Sequence, residues 1–189
     1  YAFSTENWKR PKCEVDALMH LLVSTLNSEI GTLMDNNIRL SAIGDLSHLE
    51  PECYKQLMET MEITSGNTRM NLILALNYSG RWEITAAAGK IAGDVASGKI
   101  KQEEITQELF STYLDTSNIP DPELLIRTSG EYRISNFLLW QIAYAELCFT
   151  PVLWPDFRKD DLYAAILDFQ NRERRFGMIS EQIKQVTDK

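Results

Sequence analysis

Three short segments of the sequence carry hydroxyl, amide and guanidinium side chains at high density. They cover residues 4–10, 77–81 and 127–136. Each contains an arginine, and each follows a stretch that the apolar pattern predicts to be a strand. Because guanidinium groups stay charged and match the oxygens of phosphate, arginines gathered in such loops favour an anion site. A substrate with a diphosphate group fits this chemistry.

Ordinary structural roles are an alternative explanation for the same polar residues. The arginines of the first and third segments have acidic neighbours and could form plain surface ion pairs: Arg10 with Glu6, Arg127 with Glu123, and Arg133 with Glu131. The other side chains also have common structural uses: helix capping for Ser4, Thr5 and Ser135, a turn for Asn7, and a lid over the core for Trp8. Both explanations stay open from spacing alone.

Glu146 is unusual because it stands inside the apolar block of residues 144–149. A buried carboxylate without a partner is costly, so it must be paired, bind a metal or face an interface. A metal ion or a functional partner is the explanation that we favour over an ordinary salt bridge.

The elements that position these segments alternate between strand and helix. Strands are predicted at residues 1–3, 38–43, 70–78, 124–126 and 147–149, and helices at 15–34, 51–63, 82–96, 104–114 and 161–174. Residues 137–144 could be helix or buried strand, and a polar tail after Phe176 could be disordered. This alternation predicts an α/β fold with a doubly wound, mainly parallel sheet flanked by helices, in which ligands bind beyond the carboxyl ends of the strands.

Composition narrows the class of protein further. The 189 residues, 44% of them hydrophobic, suffice for one substantial core, so a single domain is expected. A net charge of −8 argues against a binder of nucleic acid or of membrane surfaces. Three cysteines without a CxxC pair predict neither a disulfide framework nor a zinc site and fit a reducing cytoplasm. The longest apolar run, residues 137–149, is too short to span a bilayer.

Five sequence blocks form a recognisable series along the chain. The two longest are YAFSTENWKRP at 1–11 and IRTSGEYRISNFLLWQIAYAE at 126–146. The shorter ones are IGD at 43–45, NYSGRWEI at 77–84 and LWPDF at 153–157. In this order the blocks resemble the cis-prenyltransferase family, and in particular its bacterial undecaprenyl diphosphate synthases. Five blocks in order make an accidental match improbable.

The resemblance implies a homodimer of α/β subunits, each with an apolar tunnel. Such an enzyme adds isopentenyl diphosphate units to farnesyl diphosphate with Mg²⁺. The bacterial pattern implies undecaprenyl diphosphate, the carrier lipid of cell-wall synthesis, as the product. The implied location is the cytoplasm, with loose association with the membrane surface as an option.

The resemblance also implies roles for individual residues. Isopentenyl diphosphate would be bound by Arg10, Arg127, Arg133, Ile134 and Ser135. The residues near the substrates would be Ser4, Thr5, Glu6 and Trp8. Asn7 would assist proton removal, and Glu146 would be the ligand of the metal.

One family motif is not among these residues: an upstream strand and loop, MDGNxRWA-like, whose Asp is the principal catalytic and metal-binding residue. We therefore expect residues 1–189 to be a single cis-prenyltransferase domain lacking its N-terminal strand-loop segment. The alternative is a chain that cannot catalyse, such as a non-catalytic partner subunit of a prenyltransferase complex. A trans-type synthase is disfavoured, because residues 160–164 lack the second acidic position of DDxxD.

Overall fold

The computed structural model describes residues 1–173, which fall into two compact units. The first is Tyr1–Ile119, and the second begins at Pro120. The single domain expected over residues 1–189 stays a prediction.

The first unit is a parallel sheet with helices in its crossover connections. Its elements are β1 (Phe3–Ser4), α1 (Lys12–Asp35), β2 (Ile38–Ile43), α2 (Pro51–Ile63), β3 (Met70–Tyr78), α3 (Gly80–Ala96) and α4 (Gln107–Thr112). The strand order is β1-β3-β2, so β3 lies in the centre. The carboxyl half of β3, residues 75–78, is buried, as expected for a central strand of a parallel sheet, whereas residues 70–72 are exposed.

Parallel pairing brings the carboxyl ends of the three strands to one edge of this sheet. Along β2 and β3 the register runs from Ile38 beside Met70 to Ile43 beside Ala75. Phe3 of β1 pairs with Leu76. The turns that follow β1, β2 and β3 therefore start at the same edge, where parallel sheets place their ligands.

The helices pack one apolar face on this sheet. The buried residues of α1 recur at helical spacing and join those of α2 and the strands in one core: Phe3, Val15, Met19, Leu26, Leu33, Leu40, Leu49, Cys53, Leu57 and Leu76. Helix α3 begins at Gly80, before the predicted Trp82, because the hydroxyl of Ser79 accepts a hydrogen bond from Trp82 N at 3.4 Å.

The second unit contains β4 (Leu124–Arg127), β5 (Glu146–Phe149) and α5 (Lys159–Gln170). The two strands pair in parallel, with Leu124 beside Glu146 and Arg127 beside Phe149. Helix α5 ends at Gln170, short of the predicted 174, because the side chain of Asn171 donates to Leu167 O at 2.9 Å. The tail after Phe176 lies outside the described residues.

Both alternatives for residues 137–144 are wrong. The segment is neither α-helix nor strand: it runs through an irregular turn into a 3-10 turn at Gln141–Tyr144. Ser135, Asn136 and Leu138 have φ values of 49°, 61° and 46°, and such left-handed residues interrupt both kinds of regular structure.

The fold is therefore α/β, with parallel strands flanked by helices, as the alternating pattern predicted. The apolar tunnel stays a prediction. Among residues 1–173, no helix combines the length and the apolar content needed to cross a bilayer.

Candidate functional site

The predicted residues of the first unit lie on one short turn at the carboxyl end of β1. This 3-10 turn covers Thr5–Lys9. Asn7 stabilises it, because its Oδ1 accepts a hydrogen bond from the backbone N of Ser4 at 2.8 Å. Thr5 Oγ1 donates to Glu6 Oε2 at 3.1 Å, and Arg10, which is exposed, ends the turn. The sequence thus brings these side chains together locally.

Trp8 fixes this turn to the rest of the unit. Its ring contacts the buried Phe3 edge to face, with ring centres 5.0 Å apart. Its indole Nε1 donates to Asn77 Oδ1 at 2.7 Å. The structural roles considered for Asn7 and Trp8, a turn and a lid, are thus both present. The amide nitrogen of Asn7 takes no part in the bond to Ser4 and is the part of that side chain suited to a substrate contact.

Beside the Thr5–Lys9 turn, hydrogen bonds join the end of β3 to the turn that follows β2. Asn77 Nδ2 donates to Asp45 O at 2.8 Å, and Asp45 N donates to Asn77 O at 3.3 Å. Gly44 permits this approach, because its φ is +113° and a Cβ there would lie 2.0 Å from Leu76 O. A hydrogen bond from Ser47, burial and the nearby His48 act on Asp45, with the net result that its pKa is lowered.

A buried polar cluster supports the start of α3. The hydroxyl of Tyr78 donates to Glu83 Oε2 at 2.6 Å, and the backbone N of Asp115 donates to Glu83 Oε1 at 3.0 Å. Tyr78 is fully buried and Glu83 is 2% exposed. Burial, followed by the bond to Glu83, raises the pKa of Tyr78 far above its ordinary value. This hydroxyl therefore stays protonated and acts as a structural donor.

Arg127 is the strongest candidate anion ligand of the second unit. It is the last residue of β4, and its backbone O accepts from Thr150 N at 2.9 Å. Its Nε is buried, yet among residues 1–173 it has no hydrogen-bond partner. A buried donor without an acceptor requires an explanation, and a bound anion supplies one. No ion pair with Glu123 is present in the described part of the chain.

The loop that follows Arg127 is held in a strained conformation. Its left-handed residues are Ser129, Gly130, Ser135, Asn136 and Leu138. The backbone N of Ser129 donates to Val152 O at 2.8 Å, and that of Gly130 to Thr150 O at 2.9 Å. Strain that the surrounding structure maintains in this way is typical of ligand-binding loops.

Arg133 and Ser135 lie in the same loop, with Ile134 between them. Arg133 pairs with Glu131, as the surface alternative foresaw, and its side chain remains 62% exposed. A pair at such exposure is weak, so a phosphate could replace the carboxylate. Ser135 does not cap an α-helix, since φ is 49° there and no α-helix follows it directly.

Glu146 is paired with an arginine. Its Oε2 accepts from Arg172 Nη1 at 2.9 Å, and Arg172 Nη2 also donates to Asp168 at 2.5 Å. The hydrogen bonds to these two carboxylates raise the pKa of Arg172. Glu146 stands at the start of β5, three register positions from Arg127, which is about 10 Å at 3.3 Å per residue. The structure therefore does not place Glu146 beside the Arg127 loop within this strand pair.

Sequence reasoning missed the parts of the site that join distant turns. Asn77 was seen only as a member of a polar segment, and Glu83 was not considered. The signal for Asn77 is a polar residue at the end of a buried apolar strand, where only a hydrogen-bonded amide is tolerated.

Polar turns beyond the carboxyl ends of parallel strands place the chain in the class of ligand-binding α/β proteins.

Comparison with known proteins gives the family. The protein-family model described as putative undecaprenyl diphosphate synthase matches residues 1–177. An isoprenyl transferase of Chlorobaculum tepidum is 54% identical over 97% of this chain and 69% of its own length. A ditrans,polycis-undecaprenyl-diphosphate synthase ((2E,6E)-farnesyl-diphosphate specific) of Vibrio vulnificus is 51% identical over 97% of this chain and 73% of its own. The chain belongs to the undecaprenyl diphosphate synthase family of prenyltransferases.

Solved structures agree with this assignment. Lavandulyl diphosphate synthase from Lavandula x intermedia, in complex with dimethylallyl diphosphate, superimposes with a TM-score of 0.90 at 40% identity and covers 93% of this chain and 76% of its own. A probable undecaprenyl diphosphate synthase from Campylobacter jejuni gives a TM-score of 0.82 at 40% identity, covering 93% of this chain and 80% of its own.

Proposed function

We propose that this protein condenses isopentenyl diphosphate with farnesyl diphosphate and repeats the addition to make undecaprenyl diphosphate, the carrier lipid of cell-wall synthesis. The relatives that carry enzyme names at about half identity support this function over that of a non-catalytic partner subunit. The observation that carries the proposal is the buried Nε of Arg127, without an acceptor among residues 1–173, at the head of a strained loop.

In this proposal the arginines bind the diphosphate of isopentenyl diphosphate. Arg127 contributes a donor that is already desolvated, so it loses little hydration when the anion arrives. Arg133 exchanges its contact with Glu131 for a phosphate oxygen, and Arg10, Ile134 and Ser135 complete the binding group. A positioned diphosphate fixes the alkene of the substrate, which is the entropic part of catalysis.

The bond changes follow from the allylic chemistry. The alkene carbon of isopentenyl diphosphate bonds to the first carbon of the allylic partner, whose bond to oxygen breaks and releases diphosphate. A proton then leaves the new chain and regenerates an alkene. The turn with Ser4, Thr5, Glu6 and Trp8 contacts the substrates in this scheme, and Asn7 assists proton removal through its amide.

Magnesium fits the residues present only as a metal shared with substrate. Among the described residues, no group of three or more His, Cys, Asp or Glu side chains could hold a metal. Mg²⁺ needs only one or two carboxylates when substrate phosphates and water complete its shell. Glu146, whose side chain is 29% exposed, would be that ligand, with Oε1 outside the bond to Arg172. When bound, Mg²⁺ neutralises charge that develops on the departing diphosphate.

A homodimer in the cytoplasm, with loose association with the membrane surface where the lipid product collects, completes the proposal. The second unit exposes several large apolar side chains, among them Tyr144 (72%), Trp154 (70%) and Leu167 (60%). A subunit interface over any of these side chains would remove apolar surface from water. Cys13, Cys53 and Cys148 form no disulfide in the described residues, which fits a reducing compartment.

The test is incorporation of labelled isopentenyl diphosphate into lipid, with farnesyl or dimethylallyl diphosphate as the acceptor. The structural neighbour bound to dimethylallyl diphosphate makes that comparison necessary, because one fold can serve several substrates. Undecaprenyl diphosphate formed from the farnesyl acceptor, and abolished by a chelator of Mg²⁺, is the expected result. Binding of isopentenyl diphosphate without any lipid product from either acceptor would refute the proposal.

A further inference from the structure

The side chain of Asn77, in β3, links the turns that follow β1 and β2. Its amide oxygen accepts from Trp8 Nε1 at 2.7 Å, and its amide nitrogen donates to Asp45 O at 2.8 Å. Asn77 itself is 4% exposed, so the amide ends of both bonds are buried, whereas Trp8 is 37% exposed. A buried amide with both of its bonding partners in place holds a fixed geometry.

The backbone of Asn77 is also unusual, with φ at +47° at the penultimate residue of β3. Asparagine tolerates this left-handed conformation better than most residues with a side chain, and glycine tolerates it best. Glycine would therefore fit this backbone as well, but only the asparagine amide makes both hydrogen bonds. Its two bonds are the visible use for it.

We propose that Asn77 is a positioning residue, which sets the place of Asn7 by holding Trp8. Asn7 precedes Trp8 in the same 3-10 turn and has its Oδ1 committed to Ser4 N at 2.8 Å. With that oxygen fixed, the direction of the Asn7 amide nitrogen depends on the position of the whole turn. Phe3, against which the Trp8 ring lies at 5.0 Å, gives a second support but does not orient the indole N–H. This role rests on the proposed function, in which Asn7 assists proton removal.

The first test is the substitution Asn77→Gly, since glycine accepts the left-handed backbone and removes only the amide. We expect kcat to fall by about 10-fold to 100-fold, the usual effect of displacing a reacting group by about 1 Å. The KM for isopentenyl diphosphate should change by less than kcat, because its proposed ligands other than Arg10 lie in the second unit and are untouched. A loss of substrate affinity with unchanged kcat would overturn the inference.

Asn67→Ala is a matched control. Asn67 also uses its amide nitrogen to bond backbone carbonyls, Ile38 O at 2.8 Å and Leu33 O at 3.3 Å, but at the amino end of β2. This variant should lose stability and keep its kcat. An equal loss of kcat in both variants would mean that general destabilisation, not positioning, lowers the rate.

Trp8→Phe tests whether Asn77 acts through the indole. Phenylalanine keeps a ring against Phe3 and lacks the N–H donor. The double variant with Asn77→Gly should be no slower than Trp8→Phe alone, since two changes that break one bond are not additive. Effects on kcat that multiply would show that Asn77 acts by another route.

The hydrogen bond between Trp8 and Asn77 can be measured independently of activity by hydrogen exchange of the Trp8 indole N–H. The exchange is followed by NMR, and the signal is assigned with Trp8→Phe. Asn77→Gly should accelerate this exchange, and Asn67→Ala should not. Unchanged exchange would refute the positioning contact. A wild-type protein that protects this N–H but makes no lipid would instead refute the proposed function and, with it, the catalytic use of the contact.

Discussion

Replacing Arg127 by methionine should separate stability from function in an uncommon way. The side-chain Nε of Arg127 is buried and has no acceptor among residues 1–173. Methionine keeps an unbranched stem of similar length and removes the unsatisfied donor. The folded protein loses no hydrogen bond that the described structure contains, whereas the proposed diphosphate site loses its desolvated charge.

Arg127→Met should affect the free energy of unfolding and the affinity for isopentenyl diphosphate in opposite directions and by different amounts. A buried unsatisfied polar group costs about 1–3 kcal/mol, part of which the stem packing of methionine recovers. We expect the free energy of unfolding to stay level or rise by about 1 kcal/mol, which is roughly 2–4 °C in Tm for a chain of this size. A charge-assisted hydrogen bond contributes about 1.5–3 kcal/mol, so affinity for isopentenyl diphosphate should fall roughly 10-fold to 150-fold.

Titration calorimetry with isopentenyl diphosphate and thermal unfolding of the same samples measure both quantities. Arg39→Met is the matched control, because Arg39 is an exposed arginine of β2 and has no assigned role. It should change neither quantity appreciably. A clear drop in Tm for Arg127→Met, with unchanged affinity, would show that Arg127 is a structural residue and would refute the argument from its unsatisfied donor.

Three further predictions concern Tyr78, Gly44 and Glu146. Tyr78→Phe should lower the free energy of unfolding by about 1–3 kcal/mol, because it removes the 2.6 Å bond to Glu83. The pKa of Tyr78 is raised in the folded state, so the contribution of Tyr78 to the free energy of unfolding is complete below about pH 10. Above that pH the contribution is lost at about 1.4 kcal/mol per pH unit. Denaturant titration should find this slope in the wild type and not in the variant. Gly44→Ala should destabilise by at least about 3 kcal/mol in the same titration, because a Cβ 2.0 Å from Leu76 O forces the strands apart. Glu146→Gln should raise the Mg²⁺ concentration for half-maximal activity at least about 10-fold, since an amide is a poorer ligand for Mg²⁺ than a carboxylate.

Matched variants make these three results decisive. Tyr163→Phe changes a tyrosine that is 50% exposed and should leave stability unaltered. Gly89→Ala adds a Cβ that meets no atom within 4 Å and should stabilise α3 by about 0.5–1 kcal/mol. Asp168→Asn alters the other carboxylate bound to Arg172 and should leave the Mg²⁺ requirement unchanged. Equal responses of a variant and its control would contradict the corresponding prediction.

The central elements of the first unit were predictable because their patterns are local. β2, α2 and β3 occupy residues 38–43, 51–63 and 70–78, as the apolar periodicity indicated. Burial of the carboxyl half of β3, residues 75–78, followed from its apolar run, whereas residues 70–72 are exposed despite it. The alternation of strands and helices implied a parallel sheet. Because the turns that follow parallel strands lie at one edge of the sheet, the position of the polar turns could be predicted as well.

The contacts that hold the site could not be predicted in the same way, because they join residues far apart in the chain. The bond between Trp8 and Asn77 spans 69 positions, and the pair of Arg172 with Glu146 spans 26. Nothing in local spacing selects one partner for a tryptophan N–H or a glutamate. The ion pair of Glu146 was among the open alternatives, but its partner, Arg172, stood in a charged run that usually lies on a solvated helix face.

The segment 137–144 was misjudged for a different physical reason. Its apolar composition permits helix or strand, and both require right-handed or extended backbone at every position. Leu138 is left-handed instead, and so are Ser129, Ser135 and Asn136 in the loop before this segment, each at a cost of roughly 1 kcal/mol or more. Their sum is a sizeable part of the 5–15 kcal/mol that stabilises an ordinary domain. A loop so unfavourable locally persists only where backbone bonds such as Ser129 N to Val152 O impose it. In the proposed function, the geometry of this loop, rather than its stability, would bring Arg127, Arg133 and Ser135 to one diphosphate.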